Sequence, residues 1–296
     1  MALFLLGVAV VCRLFARVGV HSVVALLGNA GPSVAFVFAA PVVGQLLNLL
    51  AWTVLLPQAA RPHPIRGYRV LLAAQAGNEL GASILGEPLK VIALPSRHRD
   101  AAAAAVVLDN VVCFAAVCSF LVVGGAVLSP FGSMSTDAPH ALKWASLIVV
   151  AVMVSFVVGG SLVRSARSAI EERLKGTFRA CRFALRERPR AIAAAFLLHV
   201  AAKLWVFAEF WLALRLFGHG SLRESALLGV ASIGGSMMGA PVPAQLGVVE
   251  SAVAVAAATA GIPTLVALAV LVLRRVRGFF WILAGALLLP TMKGSP

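Results

Sequence analysis

One tyrosine in 296 residues, 11 acidic residues against 25 basic ones, and charge at only 12% of positions leave too little polar surface to cover a soluble globule of this size. With 61% hydrophobic residues and a mean hydropathy of +0.97, the chain is that of a membrane protein. The four cysteines, Cys12, Cys113, Cys118 and Cys181, show no C-x-x-C spacing, which excludes a zinc site and a disulfide framework and leaves them as packing residues. Six scattered histidines (His21, His63, His98, His140, His199, His219) offer no metal-ligand cluster. The sequence lacks H-E-x-x-H, G-x-S-x-G, a Walker loop and a Gly-rich dinucleotide turn, so no cofactor and no familiar enzyme is indicated. Without an ATP site, any transport would be passive or gradient-driven. The formal charge of +14 has no polar domain to carry a nucleic-acid groove; it reads as inner-leaflet contact, not a nucleic-acid partner.

What is abundant is apolar sequence in lengths that cross a bilayer, about 20 residues each. Residues 33–56, 101–128 and 144–163 meet this with at most one ionisable group apiece. Residues 191–216 and 264–290 also qualify by length, although the first carries Lys203 and Glu209 and the second Arg274, Arg275 and Arg277. MALFLLGVAVVC, with no basic residue before it and no small-residue cleavage site after it, reads as a retained first span within 1–28. Segment 164–190 holds nine Lys or Arg against three Glu, whereas 129–142 holds neither Lys nor Arg, so the former is expected inside and the latter outside. Arg13 and Arg17 then fall on the outer side, against that bias.

Two further apolar stretches, 66–96 and 222–262, are interrupted near their middles by GASILGEP and GGSMMGAPVPAQLG. Gly81, Gly86 and Pro88 mark the first break; Pro241, Pro243 and Gly247 mark the second. Broken backbone at membrane depth persists only where protein or a wet cavity satisfies the freed groups. The expected fold is therefore all-α and polytopic: a single transmembrane domain over 1–296 with about six spans and two re-entrant helical hairpins. Its halves, 1–128 with a cytoplasm-side hairpin and 129–296 with an outer-side hairpin, form an inverted repeat inferred from hydropathy. Paired interruptions of this kind point to a transporter's binding site.

Ionisable groups at mid-bilayer cost about 2.5–3.5 kcal/mol on insertion scales and usually pair or face a polar cavity. Glu87 and Lys90 stand at i and i+3 after the first break, either as a cavity-lining pair or as a helix-start Glu with a Lys snorkelling to the surface. Asn78 and Glu79 precede the same break, and Glu250 follows the second as Glu87 follows the first. Asp109, beside Asn110, is open to a structural bond with a hairpin or to substrate contact. His199 and Lys203 share a helical face, His199 reading as a packing residue, while Glu209 points elsewhere. In LRRVRGFFW, Arg274 and Arg277 fall on one side and Arg275 about 100° away. These forks suit phosphate or carboxylate, and internal acids could equally neutralise them. Asn78, Glu87, Lys90, Asp109, Lys203, Glu209, Glu250, Arg274, Arg275 and Arg277 are the candidate substrate-binding residues, with no catalytic set.

NELGASILGEPLKVIAL with the Asp109 span after it, and APVPAQLGVVESAVAVAAATAGIP with ALAVLVLRRVRGFFWILAG after it, resemble the transmembrane region of lysylphosphatidylglycerol synthases. This flippase-like family also occurs as free-standing inner-membrane proteins, and the resemblance covers essentially the whole chain. It implies lipid translocation across the cytoplasmic membrane, with Glu87, Lys90, Glu250 and Arg275 at recurring polar positions. Ala244 and Gln245, where a Gly pair is common, and Asn110, where Arg often follows an acid, depart from the pattern. The aminoacyl-transferring domain of fused members has no counterpart, so lysyl transfer is not implied.

The expected function is thus a flippase-like transporter of an anionic or phosphate-linked lipid in the bacterial inner membrane. Hopanoid, glycolipid and polyprenyl-phosphate pathways all stay open. A lipid-modifying membrane enzyme using Glu87 or Asp109 as base is one alternative, and a scaffold for a lipid glycosyltransferase docking on 164–190 is another. A lipid-biosynthetic enzyme partner and a homo-oligomer both remain compatible with the sequence.

Overall fold

A computed structural model describes residues 20–29, 31–80, 86–128, 181, 183–240, 242 and 245–288. The expected spans 1–28 (apart from its end) and 144–163, the break residues Gly81, Pro241 and Pro243, and most of the basic segment 164–190 lie outside them. Among the described residues the chain is helical throughout, with no strand. Its helices are α1 (Val20–Asn29), α2 (Val34–Ala39), α3 (Pro41–Leu55), α4 (Pro64–Leu80), α5 (Glu87–Ile92), α6 (Arg99–Leu128), α7 (Pro189–Arg215), α8 (Leu222–Met238), α9 (Val248–Thr259) and α10 (Thr264–Leu288).

Among the described residues, three segments are long and apolar enough to cross a membrane: Gly31–Leu55, Ser96–Gly125 and Pro189–Arg215. The first, expected as one span over 33–56, is divided at Pro41 into α2 and α3, because proline has no N–H for the carbonyl four residues earlier. The 25-residue α10 has the length to cross but carries three arginines near its middle.

Both interrupted stretches are helix–break–helix elements. α4 leads to the short α5, and α8 leads to α9. Pro88 occupies the first turn of α5, where a missing N–H costs nothing. Gly86 caps that helix against α4 so closely that a Cβ there would strike the Ala74 carbonyl. Gly247 caps α9 with φ of 81°, a left-handed backbone that favours glycine. At the start of α8, Ser221 and Glu224 form a reciprocal capping box.

Several packing pairs persist when α3–α6 and α7–α10 are exchanged, although the broad α6–α7 contact has no comparable α10–α3 counterpart. α3 lies on α7; α4 lies on α10 as α8 lies on α6; α5 lies on α6 as α9 lies on α10. Two apolar cores result. One gathers Trp52, Leu55, Val70 and Leu108 from α3, α4 and α6, and the other gathers Phe210, Leu228, Val253 and Leu268 from α7–α10. The buried charges lie around and between them.

Candidate functional site

At the first break, a single side chain ties the two helix ends together. Asn78 Oδ1, in the last turn of α4, accepts from the Gly86 amide at 2.7 Å, and its Nδ2 donates to Glu87 Oε1 at 2.9 Å. The orphan amide of a helix start and the first carboxylate of α5 are thereby both satisfied. Lys90, one turn on, reaches Glu87 Oε2 at 3.0 Å and Asp109 Oδ2 of α6 at 3.4 Å. Lys90 is buried, with its ammonium 5.9 Å from the Trp52 ring centre. It therefore does not snorkel to the surface; it bridges two carboxylates.

Asp109 continues the chain of contacts. Its Oδ1 lies 2.9 Å from His199 Nε2, whose Nδ1 lies 3.3 Å from Asn48 Oδ1. Asn110 Nδ2 donates to the Val106 carbonyl at 2.9 Å and, at 3.4 Å, to Glu87 Oε2. Glu87, Lys90, Asp109 and His199 thus form one continuous polar line from the break to α7. His199, expected as a packing residue, is a buried hydrogen-bonded member of that line.

The second break is built differently. Glu250 Oε2 accepts from the Gly247 amide at 2.8 Å, capping its own helix, while Oε1 takes the Arg275 Nε at 2.6 Å. Glu79, exposed at the end of α4, lies in the electrostatic field of the same Arg275. A turn away, Glu209 of α7 meets two guanidiniums. Arg277 Nη2 donates to its Oε2 at 2.8 Å, and Arg274 Nη1 stands 3.7 Å from that oxygen. Arg274 also stacks on Phe210, Cζ to ring centre 4.0 Å. Its Nη1 has no hydrogen-bond partner among the described residues.

Of the expected site residues, Asn78, Glu87, Lys90 and Asp109 come together at the first break, and Glu250 with Arg275 at the second. Glu209, Arg274 and Arg277 form a third group between α7 and α10. Lys203, half-buried on α7, makes no ion pair among the described residues. The sequence missed the roles of His199 and Asn48. The i and i+4 spacing of His199 with Lys203 was the available signal. No group of three or more metal-ligating side chains occurs among the described residues.

Ion pairs buried at broken helices within a bundle of apolar spans define an integral membrane protein with an ionised interior. The chain belongs to the lysylphosphatidylglycerol synthase transmembrane region family, whose model matches residues 1–285. No curated protein and no solved structure matches it. Membership points to a membrane lipid-related function.

Proposed function

We propose that the protein is a flippase-like transporter, not an enzyme, that moves an anionic or phosphate-linked lipid between leaflets of a bacterial inner membrane. The two helix–break–helix elements act as re-entrant hairpins of an inverted repeat, a reading supported by the matching contacts α4–α10 with α8–α6 and α5–α6 with α9–α10. Their breaks face a polar chamber for the headgroup, while the acyl tails stay in the bilayer.

The observation that carries the proposal is the shared carboxylate of Glu209. Arg277 takes it at 2.8 Å, leaving Arg274 at 3.7 Å with an unsatisfied Nη1. A guanidinium fork held half-satisfied beside an ion pair is suited to a phosphate oxygen. Glu87 with Lys90 and Glu250 with Arg275 hold the two breaks in their resting pairing, and a bound headgroup would compete for those cations.

The test is transbilayer movement of a fluorescent anionic phospholipid in vesicles containing the purified chain. Arg274→Gln and Glu87→Gln should each slow movement at least tenfold, with the thermal unfolding of Arg274→Gln close to that of the parent because Arg277 retains Glu209. Wild-type rates in both variants would remove the site.

A further inference from the structure

His199 stands in the third turn of α7, about 15 Å from the Pro189 end and so well inside a hydrocarbon core of about 30 Å. Its ring is buried, and both nitrogens face oxygen. Nε2 lies 2.9 Å from Asp109 Oδ1 of α6, and Nδ1 lies 3.3 Å from Asn48 Oδ1 of α3. Neutral imidazole carries a single N–H, and only the imidazolium donates from both nitrogens. Two acceptors on one ring are therefore the surroundings of a protonated histidine, and one of the two is a carboxylate.

The charges along the line agree. Glu87 and Asp109 share the ammonium of Lys90 at 3.0 and 3.4 Å, which leaves one negative charge unmatched among the three. A proton on His199 cancels it. Of the helices packed against α7, α2 and α3 carry no ionisable residue. α8 carries Arg223 and Glu224 in its first turn, beside the far end of α7. The arginines of α10 are drawn to Glu209 and Glu250. Lys203, one turn past His199, makes no ion pair among the described residues, and Cys113 lies one turn past Asp109 on α6.

We propose that His199, held between Asp109 and Asn48, is the binding site for a proton that travels with the anionic lipid, which rests on the transport reading above and names its coupling ion. When the site empties, the Nδ1–H bond breaks, the proton passes to water in the chamber, and the electron pair stays on the ring. The Nε2–H remains on Asp109. The Asn48 amide then turns over, so that its Nδ2 donates to the bare Nδ1 and no buried polar atom is stranded. A headgroup anion competing for Lys90 meets one negative charge fewer when His199 holds its proton. Proton and lipid thus favour each other's binding, reciprocally. With a singly charged lipid the pair is neutral, so a pH difference drives it.

Two measurements test this. The first is nitrogen NMR of the full chain, labelled at histidine and held in lipid nanodiscs, with His199 identified by its absence from His199→Gln. Between about pH 5 and about pH 10 the ring should pass from two N–H groups to one, keeping Nε2–H. A ring that stays in one state throughout overturns the proposal. The second follows fluorescent phosphatidylglycerol in vesicles containing the chain, under a pH difference of about one unit. One proton per lipid should enrich the probe in the alkaline leaflet by up to about tenfold, and His199→Gln should leave the leaflets equal. Equal leaflets in the wild type despite movement, or enrichment that survives His199→Gln, overturns the coupling. Absence of any movement in the wild type removes the transport reading, and the coupling with it, whereas titration of His199 is read independently of lipid.

Discussion

Arg277 Nη1 donates to the Val37 carbonyl at 3.3 Å, and Val37 is the residue four before Pro41. Proline has no N–H, so the helix leaves that carbonyl without its normal donor, and a guanidinium from 240 residues away supplies one. The neighbouring carbonyls of Phe38 and Ala40 receive Trp281 Nε1 at 3.2 Å and Trp205 Nε1 at 2.7 Å. The α2–α3 break is therefore sealed by side chains of α7 and α10, and the same Arg277 pairs with Glu209.

Arg277→Met should destabilise the protein by about 3 kcal/mol, the low end for breaking a buried pair, because Arg274 remains near Glu209. Adding Pro41→Ala, which restores an N–H for Val37, should recover about 1 kcal/mol of that loss. Unfolding in detergent across the four-member cycle measures both. Additive effects of the two changes would show that the carbonyl bond is not shared between them.

Gly86→Ala should destabilise strongly, by more than about 2 kcal/mol, since its Cβ would occupy the Ala74 carbonyl and backbone must move. Gly278 provides the contrast. A Cβ there meets nothing within 4 Å, so Gly278→Ala should be stabilising by about 0.5–1 kcal/mol through helix propensity alone. Comparing the melting temperatures of the two variants checks both directions at once.

The breaks and the charges were legible in the sequence because hydropathy, glycine and proline mark them locally. Which charge meets which was not legible. Helical spacing names the face on which Arg274 and Arg277 lie, but their partner Glu209 is 68 residues from Arg277, and the partner of Asp109 is 90 residues away at His199. Helical spacing also placed His199 and Lys203 on a common face without revealing that α6 presents Asp109 to His199. Lys90 was ambiguous for a related reason: a helix-start Glu and a nearby Lys look alike on a surface and in a cavity until Asp109 and Trp52 are seen around them.

Arg188, near the end of the basic segment, closes α3. Its Nη1 donates to the Leu55 carbonyl at 3.0 Å, and its Nη2 to those of Val54 at 3.2 Å and Leu56 at 3.3 Å. Those are carbonyls left open by a helix C-terminus, where a cation is also favoured by the helix dipole. Arg188→Gln should cost about 2 kcal/mol, and Arg188→Lys should recover less than half, because an ammonium lacks the fork that spans several oxygens. Hydrogen exchange of the amides in the last turn of α3 should accelerate in both variants, more in the first.

The last prediction concerns the order of losses around Lys90. Removing Glu87 as Glu87→Gln leaves Lys90 with Asp109, and removing Asp109 as Asp109→Asn leaves Lys90 with Glu87. Removing Lys90 as Lys90→Met leaves two buried or half-buried carboxylates, with amides from Asn78 and Asn110 on one and His199 on the other. Lys90→Met should therefore be the most destabilising single change, by about 3–5 kcal/mol, and each carboxylate variant should lose less. The double variant Lys90→Met with Glu87→Gln should be more stable than Lys90→Met alone, since the second change removes an uncompensated charge. Chemical or thermal unfolding of the four proteins measures this, and a double variant less stable than Lys90→Met would show that Glu87 is stabilised chiefly by its amide donors.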